Sequence, residues 1–320
     1  MKKTAALLLS LCLFVTCLAP LGATAEKKLS LVATTFPIYD WARQVIGDTD
    51  AVDLTMLLDS GVDLHSFNPT AADIMKIATC DLFIYVGGES DDWVPDATRQ
   101  TINPNMRQIS LMEVLGGDAR EEETVEGMED EEHEEQEEEE EAEYDEHIWL
   151  SLRNAALFTQ TICDALIGID PENAEAYQAN AAAYIEKLNA LDARYAEMAQ
   201  KAAFKTLLFG DRFPFRYLTE DYGLQYYAAF KGCSAETEAS FKTVAFLAGK
   251  VDELGLPAVM TIEGTNHRIA ETIIQATKGG NQKLLVVDSM QSITAGNVKA
   301  GADYLAIMES NLDVFAQALN

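Results

Sequence analysis

Histidine is scarce in this 320-residue chain: only four are present, His65, His133, His147 and His267. Scarcity makes each position informative. Cysteine is nearly as rare. Of the five, Cys12 and Cys17 lie in an apolar N-terminal stretch, leaving Cys80, Cys163 and Cys233, far apart and odd in number. At most one disulfide fits, so a cysteine-stapled scaffold is excluded and the spacing gives no cysteine-rich metal motif. Basic residues are also few, 23 Lys and Arg against 53 Asp and Glu, for a formal net charge of -30. That balance excludes a polyanion, nucleic acid included, held on a broad basic surface. An HExxH helix, a nucleophile elbow and a Gly-rich phosphate loop are all missing, which argues against the common hydrolases.

The N-terminus sets Lys2 and Lys3 before an apolar run over residues 5–18 and then small residues ending in Ala23, Thr24 and Ala25. This pattern predicts a secretory signal over residues 1–25, cleaved before Glu26. The run falls short of the roughly 20 residues that span a bilayer, and no later segment comes closer. Export as a soluble protein is therefore expected, in the periplasm or at the outer face of the cytoplasmic membrane. Cys17 is the alternative processing point, as a lipid attachment site, although Phe14, Val15 and Thr16 are poor residues to precede one.

Beyond the signal, short β-branched and apolar runs at 29–36, 52–58, 81–86 and 106–111 alternate with helical periodicities such as 38–46 and 71–78. Strand alternating with helix implies a parallel sheet covered on both faces. Residues 206–209, 224–230, 258–262 and 283–287 repeat the scheme, with helical segments at 215–221, 241–254, 268–276 and 304–319. The expected fold is α/β: two lobes, 26–169 and 204–320, each a mainly four-stranded parallel sheet with flanking helices. A single long helix over 170–203 joins them. Asp170 is its expected N-cap, Pro171 suits the first helical position, and Ala174, Tyr177, Ala181, Tyr184, Leu188, Leu191, Tyr195 and Met198 recur in steps of three and four.

Residues 118–146 contain nineteen acidic residues and one arginine, Arg120. Such a stretch cannot bury apolar area and repels itself, so a disordered loop is expected. A solvated charge run is the default; with His133 inside it, a weak collector of cations is the functional alternative.

His65 lies in DLHSFNPT, just past the end of the second strand and before a helix capped by Thr70; His147 lies in DEHIWLSL, immediately after the acidic stretch. Strand ends of this kind are where open α/β sheets bind ligands. Either histidine alone is as readily a packing or capping residue. Together with KLLVVDSM, which ends a strand on Asp288, the order of motifs resembles the zinc and manganese substrate-binding proteins of ABC importers, the cluster A-I group. The resemblance covers essentially the whole chain after the signal. Its first metal motif is a His followed by x-Phe-x-Pro-Thr or Ser, with Asn68 here where an acidic residue is usual. Its second, Asp-x-His-x-Trp, is the most specific match.

A third motif departs. Counting back from Tyr222-Gly223-Leu224 in FGDRFPFRYLTEDYGL puts Arg212 at the liganding place, and a guanidinium offers no lone pair. The resemblance therefore implies a site of His65, His147, Asp211 and Asp288, with Asp211 replacing the usual ligand and Arg212 paired to a carboxylate such as Glu263. The bland reading pairs Asp211 with Arg212 and leaves three protein ligands and a water. His267 is expected to be a helix-start residue.

Imidazole and carboxylate donors suit zinc and also hold manganese. The charged insertion before His147 favours zinc, because zinc-type relatives carry a metal-attracting loop there. The resemblance implies a monomeric zinc receptor that serves an ABC permease, without enzymatic activity. Manganese is the alternative cargo. Two readings from other classes are an exported metallohydrolase, whose zinc would need an open coordination position, and a surface adhesin or calcium buffer working through the acidic stretch.

Overall fold

A computed structural model describes residues 28–99, 101–128, 143–234, 238–264 and 266–320. The signal, its cleavage point, Cys17 and His133 lie outside them. Among the described residues, eight strands make two four-stranded parallel sheets. In the first, β1 (Leu29–Ala33), β2 (Val52–Met56), β3 (Leu82–Tyr85) and β4 (Arg107–Ser110) are ordered β2-β1-β3-β4. In the second, β5 (Thr206–Phe213), β6 (Gln225–Lys231), β7 (Ala258–Ile262) and β8 (Lys283–Val287) are ordered β6-β5-β7-β8.

The same topology thus occurs twice. In both sheets the first strand is central, flanked by the second on one side and the third on the other. Connections leave it in opposite directions, which opens a crevice at the C-terminal strand ends. Runs such as Leu82, Phe83 and Ile84, and all five residues of β7, are buried because helices cover both faces.

The joining helix runs over Ala174–Lys201 and buries Tyr177, Ala181, Tyr184, Leu188, Leu191, Tyr195 and Ala199 along one stripe. At 1.5 Å per residue it is about 42 Å long. That length lets it pack on Phe36–Ile46 and Leu152–Ile169 of the first lobe and on Arg216–Tyr222 and Tyr304–Ala318 of the second. Its start differs from expectation. A 3-10 turn, Pro171–Asn173, precedes it, and Asp170 accepts from the Tyr177 hydroxyl at 2.6 Å and from Asn173 Nδ2 at 2.8 Å. Asp170 therefore pins the turn rather than capping the helix.

Ties across the lobes are specific and buried. Trp149 Nε1 donates to Ser289 O at 2.9 Å, while Tyr304 donates its hydroxyl to Trp149 O at 2.6 Å and its backbone N–H to Asp40 at 3.0 Å. The acidic stretch is more ordered at its ends than charge alone implies. Glu121 and Tyr144 form an antiparallel bridge, Glu122 N donates to Glu143 O, and Asp145 N donates to Arg120 O, both at 2.8 Å. Backbone pairing offsets the side-chain repulsion there; residues 129–142 are outside the described set.

Candidate metal centre

His65 sits in a 3-10 turn, Leu64–Ser66, where Asp63 Oδ1 accepts from its backbone N–H at 3.1 Å. His147 opens the turn Ile148–Leu150 and is fully buried. The two rings meet: Nε2 of His65 is 3.2 Å from Nε2 of His147. Both outer nitrogens are engaged behind them. His147 Nδ1 lies 2.9 Å from Asp145 Oδ1, an oxygen that also accepts from the His147 backbone N–H at 2.8 Å. A carboxylate only accepts, so the ring proton sits on Nδ1 and the Nε2 lone pair points into the site. His65 Nδ1 lies 2.7 Å from Ser90 Oγ, with Glu146 Oε2 at 3.5 Å.

Two imidazole lone pairs at this separation repel unless a proton or a cation lies between them. A tetrahedral zinc with bonds of about 2.0 to 2.1 Å holds its nitrogen ligands about 3.3 to 3.4 Å apart, close to the separation found. Electrostatics around the pair are lopsided. Burial opposes charge on His147, but Asp145, Glu122 and Glu146 outweigh it and raise its pKa; burial and the neighbouring His147 push His65 down to about 3.

Cys233 offers a third candidate donor. Its sulfur lies within 4.8 Å of ligand atoms of both histidines, and Glu122, Asp145 and His147 form an overlapping group at the same spacing. Cys233 follows the end of β6, and its backbone N–H donates to Glu122 Oε1 at 3.2 Å. Gly232 makes this approach possible: a Cβ there would stand 3.0 Å from Phe213 O and 3.1 Å from Cε1 and Nδ1 of His147. The centre opens into a cavity lined by His65, Cys233 and five carboxylates, Glu89, Asp92, Glu122, Glu143 and Glu146, a mouth suited to cations.

Asp211 and Asp288, the two carboxylates expected as ligands, have hydrogen-bond partners of their own. Among the described residues neither joins a cluster of close donors. One oxygen of Asp211 accepts from the Thr261 hydroxyl at 2.5 Å and from Ile262 N at 3.2 Å, which turns the carboxylate onto β7. It still borders a second cavity beside His65, with Asp63, Arg212 and His267. Asp288 folds back to accept from Met290 N at 2.7 Å, and burial with the neighbouring Glu263 lifts its pKa to about 6.

Arg212 does not pair with Glu263. It bridges the lobes to Asp63 at 2.7 Å, while Glu263 accepts from Ser289 N at 2.6 Å and Ser289 Oγ at 2.8 Å. Glu263 is committed to shaping the loop after β8, and Asp63 is the carboxylate within the guanidinium's reach. His267 stands at the start of the helix Arg268–Ala276, as expected, with Nδ1 3.2 Å from Thr261 Oγ1.

Sequence reasoning missed Cys233, Glu122 and the supporting roles of Ser90, Asp145 and Glu146. Asp145 was recoverable, since a carboxylate two residues before a histidine readily holds its Nδ1. So was Cys233, a thiol just after the end of β6 in a chain whose third motif carries Arg212 where a ligand is usual.

Residues 31–318 match the family model described as zinc-uptake complex component A periplasmic. The zinc-binding lipoprotein AdcA of Streptococcus pneumoniae is 33% identical over 99% of this chain and 61% of its own length, so the chain spans about three fifths of that relative. The high-affinity zinc uptake system protein ZnuA of Bacillus subtilis is 31% identical over 91% of this chain and 88% of its own. Among solved structures, the Zn(II)-bound ZnuA-like domain of Streptococcus pneumoniae AdcA superposes with a TM-score of 0.71 at 29% identity, covering 92% of this chain and 99% of that one. The metal-dependent lipoprotein YcdH of Bacillus subtilis gives a TM-score of 0.73 at 27% identity, covering 91% and 99%. With the fold, the paired imidazoles and these matches together, the chain belongs to the family of periplasmic zinc-uptake component A proteins.

Proposed function

We propose that the protein is an extracytoplasmic receptor that binds one zinc ion between its lobes and delivers it, as a monomer, to the permease of an ABC importer. One observation carries the reading: two buried-side imidazoles from separate loops present Nε2 atoms 3.2 Å apart, each with its Nδ1 held from behind. Rings fixed in this way are prepared for a metal and need little reorganisation to accept it. Family membership and zinc-named relatives supply the cargo and the setting outside the cytoplasm.

Manganese is the weaker cargo for this geometry, because it favours oxygen-rich, higher-coordinate sites. An enzymatic role has less support: the family is named for uptake, and the carboxylates nearest the site are engaged as hydrogen-bond partners. Metal analysis of the purified protein by mass spectrometry, followed by competition between zinc and manganese, tests the proposal. One equivalent of zinc that manganese fails to displace supports it; preferential manganese binding refutes it.

A further inference from the structure

We propose that Cys233 Sγ is a direct ligand of the bound ion, completing with His65 Nε2 and His147 Nε2 a two-nitrogen, one-sulfur donor set. The inference deepens the zinc-receptor reading and rests on it. The place where a third nitrogen or oxygen ligand is expected is occupied by Arg212, and its guanidinium is drawn to Asp63. Asp211 is turned onto β7. The vacated role falls to the neighbouring parallel strand, where β6 ends and Gly232 lets the backbone pass against the His147 ring. Three donor atoms from three separate loops, all within 4.8 Å of one another around a fully buried imidazole, satisfy the spacing of a metal site.

The competing donors have other partners. Asp145 Oδ1 accepts from the backbone N–H and Nδ1 of His147, and Glu122 Oε1 accepts from the Cys233 backbone N–H. Binding then proceeds as an exchange: the ion takes the sulfur lone pair as the S–H bond breaks, and the thiol proton leaves to solvent. A thiolate beside two imidazoles is a soft set that favours zinc or cadmium and disfavours manganese. Arg212 thus ties the lobes together while Cys233 sets the choice of metal.

Cobalt substitution of the full-length protein tests this directly. Cobalt(II) bound to a thiolate shows a sulfur-to-metal charge-transfer band in the near ultraviolet, which imidazole and carboxylate do not give. The wild type is expected to show the band and Cys233→Ser to lose it, with zinc affinity falling at least about a hundredfold. Zinc should also protect Cys233 from alkylation, read by peptide mass, with the buried Cys80 and Cys163 as internal controls. Tight zinc binding by the wild type with no sulfur band and no protection overturns this inference alone. No zinc binding at all overturns the receptor reading with it.

Discussion

Nε2 of His65 and Nε2 of His147 face each other at 3.2 Å although 82 positions separate them in the chain. Each ring is held from behind, His147 by Asp145 and His65 by Ser90. Replacing either histidine with alanine is expected to weaken zinc binding by more than about a hundredfold, because a ligand is lost outright. Asp145→Asn keeps the ligand but no longer fixes its tautomer, and should cost about 10- to 100-fold. Competition titration with a zinc chelator ranks the three variants; equal effects would show that Asp145 acts on more than the ring.

Asp211→Ala and Asp288→Ala should each change zinc affinity by less than about tenfold. Asp211→Ala should instead lower stability by about 1 to 3 kcal/mol, since the Thr261 hydroxyl and Ile262 N–H are left inside the protein without this acceptor. Denaturant unfolding and zinc titration of the same samples separate the two effects. A large affinity loss in Asp211→Ala would return it to the ligand set.

The carboxylate ligands are the least legible part of the sequence. The strands were readable because their side-chain pattern is local, and the expected runs at 258–262 and 283–287 coincide with β7 and β8. The joining helix was readable from its stripe, and the two histidine motifs from their place at strand ends. Which carboxylate reaches an ion is decided by long-range contacts, Asp211 with Thr261 and Arg212 with Asp63, and no spacing in the sequence encodes those. Charge counting likewise omits the backbone pairing at the described ends of the acidic stretch, Glu122 with Glu143.

Zinc binding should release protons. Burial disfavours charge on His147, yet its surrounding carboxylates raise its pKa above the ordinary 6.5, whereas His65, at about 3, is already neutral. Of the two histidines, His147 is therefore the one at which acidification competes with zinc first, and that competition should begin above pH 6.5. Calorimetry in buffers of different ionisation enthalpy counts the protons. With Cys233 as a ligand, Cys233→Ser should lower the count by about one.

Asp40 gives the fold a pH dependence of its own. Burial raises its carboxyl from 3.8 to about 6, and the Tyr304 N–H and Arg43 offset only part of that cost. The folded state thus holds a proton between about pH 4 and 6 that the unfolded chain releases, and stability falls as pH rises through that window. Asp40→Asn cannot titrate, so the wild type should lose stability relative to it as pH rises from about 4 to 6. Parallel curves would show that Asp40 is ionised throughout.

The central claim is one zinc ion held by His65 and His147, independent of the acidic stretch. Deleting residues 129–142 and measuring zinc stoichiometry and affinity by competition titration, with and without the His65→Ala and His147→Ala changes, tests it most directly. The account predicts one tightly bound equivalent in the deletion variant and its loss with either histidine. Full affinity retained after both histidines are replaced would contradict it.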